Sequence, residues 1–280
     1  MAVSVTVLVE NTASAPRYQG EYGWAIMVET PSTTILLDTG SSADALFHNT
    51  RAAHKDLSRV DRLIISHGHF DHTGGLKKFL QKFPAVPLYV HSAAFSDHNR
   101  KNADDSLTYI GSPVLLKELT GLGIKVEFTD QFTEIAPDIF VTGSIPRRTD
   151  FEDAGGPFFL SADRVDEIID DQALIIKEND DLIIISGCAH AGVVNTMQYA
   201  LSQTGARHIK TVIGGMHLIN ADADRIAETI AAFKQYEVER IIPAHCTGFK
   251  AAAELYAALG SKVEKAESGS CRRPERKSVV

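Results

Sequence analysis

Four side chains with metal-binding chemistry crowd into one short run. The stretch Ser66-His67-Gly68-His69-Phe70-Asp71-His72-Thr73-Gly74-Gly75 carries three imidazoles and a carboxylate within six positions. Neutral imidazole nitrogens and carboxylate oxygens are the donors preferred by zinc and similar borderline divalent ions. Brought together without a cation, such groups would carry uncompensated desolvation. His67, His69, Asp71 and His72 are therefore expected to be metal ligands.

Two later apolar segments also end in candidate ligands, Ile185-Ser186-Gly187-Cys188-Ala189-His190 and Ile242-Pro243-Ala244-His245-Cys246-Thr247-Gly248. Arg147 and Arg148 offer paired guanidinium donors that match a phosphate or carboxylate, although solvated surface arginines would look the same. Thr247 and Gly248 open a helical pattern beside His245, where free backbone N–H groups could receive a substrate phosphate or simply be capped. His91 ends a strand-like segment, and His48, His54, His98 and His208 have no neighbours that suggest a role.

The elements that must position these groups alternate. Strand-like runs rich in β-branched residues cover Val3 to Val9, Trp24 to Val28, Thr34 to Leu37, Leu63 to Ser66 and Leu88 to His91. Helical patterns follow at Ser42 to Asn49 and Gly74 to Phe83, the latter with Leu76, Phe79, Leu80 and Phe83 on one face. The cluster thus sits on a strand-to-helix turn, which fans alternate side chains toward one point. Residues 92 to 123 are more polar and could form a lid. Strands are expected at Lys125 to Phe128 and Ile139 to Thr142, then a hairpin of Ala173 to Ile176 with Leu182 to Ser186. A helix after Gly192, a strand Thr211 to Ile213, a helix Ala223 to Tyr236, a strand Arg240 to Ile242 and a helix after Gly248 complete the pattern. The domain is expected to span residues 1 to 265, with 266 to 280 a flexible tail.

The run from His67 to His72 resembles the His-x-His-x-Asp-His signature of the metallo-β-lactamase superfamily, and Leu36-Leu37-Asp38-Thr39-Gly40 is similar to its first motif. The resemblance implies an α/β fold, a four-layer αββα sandwich of two mixed sheets packed face to face with helices outside. It implies His67 and His69 on one metal, Asp71 and His72 on a second, and Asp38 orienting a ligand histidine or bracing the turn. Cys188 stands where that family carries a bridging aspartate, so either its thiolate bridges or the bridge is lost and His190 takes over. The usual third-motif histidine is also missing, the equivalent stretch reading Thr142-Gly143-Ser144-Ile145-Pro146-Arg147. His190 is therefore assigned to the first metal and His245 to the second. Gly-Cys-Ala-His-Ala-Gly, Gly214-Gly215-Met216-His217-Leu218 and His245-Cys246-Thr247-Gly248 resemble one branch, which includes dihydropterin ribofuranosyl-aminobenzene phosphate synthases and many uncharacterised hydrolases. In that branch the position of His217 lies at the active-site rim, where it would donate a proton or bind substrate.

The resemblance implies metal-assisted hydrolysis of a small, phosphorylated, pterin-like substrate, with one or two divalent ions that are zinc, or else manganese or iron. Asp71 would serve as ligand and proton acceptor. A lactonase or thioesterase on the same scaffold would need a more apolar pocket and less from Arg147. A metal-binding module without turnover is the non-enzyme alternative, and the oxygen-reducing diiron relatives differ in having a glutamate where His69 stands. Composition agrees with a small-molecule enzyme: 28 basic and 36 acidic residues give a net charge of −8, with no basic stripe to bind nucleic acid. No apolar stretch reaches the roughly 18 to 20 residues that cross a bilayer, so no membrane partner is expected. Three widely spaced cysteines argue against a disulfide framework and for the cytoplasm, and a homo-oligomer is compatible with all of this.

Overall fold

The computed structural model describes residues 3–272. Among them, a seven-stranded sheet runs in the order Cys271–Arg272, Ser4–Val9, Ala25–Glu29, Thr34–Leu37, Arg62–Ile64, Leu88–Val90, Val126–Phe128. A six-stranded sheet has the order Arg240–Ala244, His208–Gly215, Asp181–Ser186, Ala173–Glu178, Ile139–Val141, Thr133–Ala136. Each is mixed: the strands from Thr34 to Phe128 in the first are mutually parallel, as are the three from Asp181 to Ala244 in the second.

Alternation along the strands explains the layering. Val5, Val7, Ile26, Val28, Ile35 and Leu37 meet Leu174, Ile176, Ile183, Ile185, Ile213 and Ile242 in the core between the sheets. The intervening residues of the first sheet, among them Leu8, Met27, Leu36 and Leu63, pack on Leu46 of the helix Asp44–Ala52 and on Phe79 and Leu80 of the helix Leu76–Lys82. Those of the second sheet, Ile175, Ile184 and Val212, pack on Met197, Phe233 and Leu255 of the helices Val193–Thr204, Ala223–Gln235 and Phe249–Leu259. Because both faces of each sheet are covered, the strands read as continuous apolar runs with little polar alternation. The result is the expected helix–sheet–sheet–helix sandwich.

Residues 92 to 123, where a lid was expected, contribute Asn99–Lys101 and Leu107–Tyr109 to a third, four-stranded sheet with Phe158–Ser161 and Arg164–Val165. This sheet is tied to the cluster turn by Phe70 N donating to Ile110 O at 2.9 Å. The tail expected from residue 266 is packed as far as 272, since Ala266 and Ser268 are buried and Cys271 pairs with Thr6. Its remainder, 273 to 280, lies outside the described residues.

Candidate metal centre

The carboxyl ends of five strands converge on one edge of the sandwich and turn sharply there. Asp38 follows Leu37, His67 lies just beyond Ile64, Cys188 and Ala189 beyond Ser186, His217 beyond Gly215, and His245 follows Ala244. Carboxyl ends of parallel strands are where open α/β sheets place ligands. Asp38, Ala189, His217 and His245 all have left-handed backbone, with φ of 62°, 54°, 44° and 49°. Non-glycine residues held there cost of order 1–3 kcal/mol each, a strain that collects at functional sites.

Gly68 lets the cluster turn close. A Cβ at this position would stand 2.0 Å from Ala94 O and 2.7 Å from His98 Nε2. His67 and His69 thereby project to the same side, with His67 Nε2 and His69 Nδ1 3.0 Å apart. Single ligand atoms of His67, His69 and His190 lie within 4.8 Å of one another, and so do those of Asp71, His72 and His245. All six residues are buried. The structure therefore brings together the three distant stretches of chain from which ligands were expected.

Three of the rings have their outer nitrogen fixed by the protein. His72 Nδ1 donates to Asp38 Oδ2 at 2.7 Å, His190 Nδ1 to Ala154 O at 2.7 Å and His245 Nδ1 to Asn11 Oδ1 at 2.9 Å. Protonating Nδ1 leaves the Nε2 lone pair free. His190 Nε2 is buried with no partner, and His245 Nε2 lies 3.1 Å from Asp71 Oδ2. Buried, unpaired ring nitrogens turned toward a common point fit a cation, and oriented imidazoles are what metal sites need. Asp38 also accepts from Ser66 N and Ser66 Oγ, both at 2.7 Å, so one carboxylate holds the ligand ring and the turn before it. Cys188 Sγ stands between the two triads, 3.2 Å from His72 Nε2 and within 4.8 Å of the ligand atoms of both His67 and His72.

The two triads differ in charge. Burial, reinforced by the neighbouring histidines, holds His67 and His190 well below the usual imidazole range. Burial also takes His69 down to about 3 against the pull of Asp71. Burial acts on His72 in the same sense, but Asp38 and Asp71 outweigh it and lift that ring to about 9. Asp71 is itself held below its ordinary value, because His72 and His245 overcome its burial.

Other candidates fall into place differently. His217 lies against this group, its ring 4.2 Å from that of His190 and its buried Nδ1 unpartnered beneath Gly155. Arg147 donates Nη1 to His190 O at 2.9 Å and Nη2 to Glu167 O, so its contacts are with the backbone of the site. Arg148 is exposed, and its backbone N–H donates to Asn195 Oδ1. Thr247 Oγ1 accepts from Met216 N at 3.1 Å, and Gly248 begins the helix Phe249–Leu259. Both line a largely apolar groove of about 640 Å³ that also reaches His245, Phe249 and Tyr256. His91 caps the turn Ser92–Phe95 and bonds Ser144 Oγ, which accounts for it structurally.

His98, passed over in the sequence, is buried 5.5 Å from the His69 ring. It is paired through Nδ1 with Asp166, while its Nε2 faces Asp170 at 3.7 Å. Asp170 in turn accepts the Gly68 N–H at 2.7 Å. Asp171, which accepts from Ala191 N at 2.9 Å, is pushed by burial up to about 7. The signal that could have pointed here is the pair Asp170-Asp171 just ahead of the apolar run Ala173 to Ile176. Asn11 and Tyr22, whose ring is 5.3 Å from His245, had no sequence signal at all.

Residues 18–193 match the family model of the metallo-beta-lactamase superfamily. The chain is 31% identical over 262 residues to the 7,8-dihydropterin-6-methyl-4-(beta-D-ribofuranosyl)-aminobenzene-5'-phosphate synthase of Methanocaldococcus jannaschii, covering 89% of each chain. It is 24% identical over 196 residues to a hydroxyacylglutathione hydrolase of Salmonella paratyphi A, covering 69% of this chain and 70% of that one. Among solved structures, Tm1679, described as a metal-dependent hydrolase of the beta-lactamase superfamily, superposes with a TM-score of 0.80 at 26% identity, over 96% of this chain and 98% of the other.

Proposed function

Given that the chain belongs to the metallo-β-lactamase superfamily, we propose that it is a metal-dependent hydrolase of a small, phosphorylated, pterin-like substrate. One observation carries the reading: two triads of buried donors, each spanning less than 4.8 Å, meet on a single edge with ring nitrogens left unpaired. In this reading His67, His69 and His190 hold one divalent ion and Asp71, His72 and His245 hold the second, with Cys188 between them. Zinc suits this nitrogen-rich, partly sulfur donor set best, ahead of manganese or iron. Such an ion supplies Lewis acidity, lowering the pKa of a water from about 15.7 toward about 7 and polarising the scissile group.

The protein's own residues do the rest. Asp38 and Ala154 accept the Nδ1 protons of His72 and His190 and so aim each Nε2 at the site, unprotonated in His190 and ready in His72 once its second proton is given up. Asp71, held ionised by the histidines around it, is placed to accept a proton from the attacking water. His217, unpartnered at Nδ1 beside His190, is placed to deliver one to the leaving group. With Arg147 committed to carbonyl oxygens, Arg148 becomes the better candidate for the substrate anion, and Thr247 and Gly248 would meet the substrate along the groove.

A second reading, thioester or lactone hydrolysis, draws support from that same apolar groove and from the name of the Salmonella relative. The two are separated by assaying chelator-stripped full-length protein, with zinc, manganese or iron restored, on phosphodiester, lactone and thioester panels. Metal-dependent turnover on the phosphodiester is expected. Thioester turnover alone would favour the second reading, and product that forms equally well after chelation would overturn both.

A further inference from the structure

Cys246 follows His245 directly yet has no part in either donor triad described above. Its thiol is buried, as is that of Cys188, and neither belongs to the apolar layers of the sandwich. Cys188 Sγ, Cys246 Sγ and one ring nitrogen of His245 all lie within 4.8 Å of one another. Metal–sulfur bonds of about 2.3 Å and metal–nitrogen bonds of about 2.0 Å place neighbouring donors of one ion roughly 3–4 Å apart, so the separation is of the right order for one cation. Without a cation the Cys246 thiol donates to Cys188 O at 3.6 Å, a bond that gives way when the thiol loses its proton. A Cβ on Gly215 would meet Gly187 O at 2.4 Å and Cys246 Sγ at 2.6 Å, so glycine there lets the two loops close on each other. The same His245 is the member of the carboxylate triad nearest Asp71, which puts the sulfur pair on the flank of that second position.

We infer that Cys246, with Cys188 and His245, gives the second metal position a thiolate face that selects a thiophilic divalent cation, zinc or cadmium, over the hard ions manganese and magnesium. The inference rests on the metal-centre reading above. Binding exchanges two S–H bonds for two metal–sulfur bonds and releases both protons to solvent, with no change of oxidation state. Thiolate ligands favour softer ions, whereas carboxylate and water suit the hard ones.

The test is a titration of metal-free full-length protein with cobalt(II) and with cadmium(II), followed by thiolate-to-metal absorption in the near ultraviolet, together with zinc–manganese competition by metal analysis. Wild type should show the band. Cys188→Ser and Cys246→Ser should each lose about half of it, and the double variant all of it. Cys246→Ser should also lower the preference for zinc over manganese about tenfold or more. Cys246→Ala guards against a serine oxygen taking the sulfur's place, and circular dichroism checks that each variant is folded. Full absorption with unchanged preference in both Cys246 variants would overturn the inference. So would cobalt uptake by wild type without the band, in which case the metal centre itself would stand. Failure of wild type to take up any cation would remove the metal centre and this inference with it.

Discussion

The two triads share one turn and one edge of the sandwich, yet they are built on opposite electrostatic plans. The triad of His67, His69 and His190 is all imidazole, its rings kept neutral by burial and by one another. The triad of Asp71, His72 and His245 contains a carboxylate and is backed by another, Asp38, so that His72 holds a proton to about pH 9 when no cation is present. A neutral pocket gains ligand readiness at neutral pH without help, whereas the acidic one must exchange a proton for a cation. The difference teaches that two positions a few ångströms apart can be tuned separately by what stands behind the ligands.

The largest expected effect comes from breaking the neutral side. His69→Ala should lower metal-dependent turnover by roughly 10³-fold, since a metal contributes several kcal/mol and each 1.36 kcal/mol is tenfold. Far-ultraviolet dichroism should stay unchanged, and a metal-replete variant with full activity would remove His69 from the ligand set. Next, Asp38→Asn acts most directly on the acidic side, through His72. It should weaken the second ion by about 10–100-fold while leaving the first within about twofold, as loss of a residue behind a ligand does. Metal stoichiometry against free zinc reads this, and equal loss at both positions would erase the distinction.

A pH series on chelated protein sharpens it further. Burial holds His67, His69 and His190 below the ordinary 6.5, so the stability they contribute is present above that pH and is lost as pH falls below it, in the case of His69 toward about 3. His72, raised to about 9, works in reverse: its contribution is complete below about 6.5 and disappears as pH rises through 9. Urea midpoints should therefore fall on both sides of neutrality, and Asp38→Asn should flatten only the alkaline limb. The smallest effect is expected at Arg147, whose two hydrogen bonds go to backbone carbonyls. Arg147→Ala should change KM for a phosphodiester by about threefold or less. A tenfold rise would restore it as an anion clamp.

How much of this was legible in the sequence follows the same division. The first strand, the paired β-branched runs and the helices after Gly192 and Gly248 could be read from periodicity, because covered sheets leave long apolar segments. The dense run from His67 to His72 announced its chemistry by itself, and His190 and His245 were reachable because each ends an apolar strand. What supports those groups was not reachable. His98 sits in a polar stretch with no local pattern, and only the pairing of Asn99–Lys101 with Phe158–Ser161 helps bring it to Asp166 and the His69 ring. Asn11 meets His245 across more than two hundred residues of chain. The strands within residues 92 to 123 went unread because short, half-exposed strands carry little hydrophobic signal. The packed segment 266 to 272 was mistaken for tail because its partners, Thr6, Val7, Glu10 and Thr12, lie at the other end of the chain.

The central claim is most directly tested by anomalous diffraction from zinc-loaded crystals, collected on both sides of the zinc edge. Two peaks are expected, one enclosed by His67, His69 and His190 and the other by Asp71, His72 and His245. A fully loaded crystal with no anomalous peak among these six side chains would contradict the account.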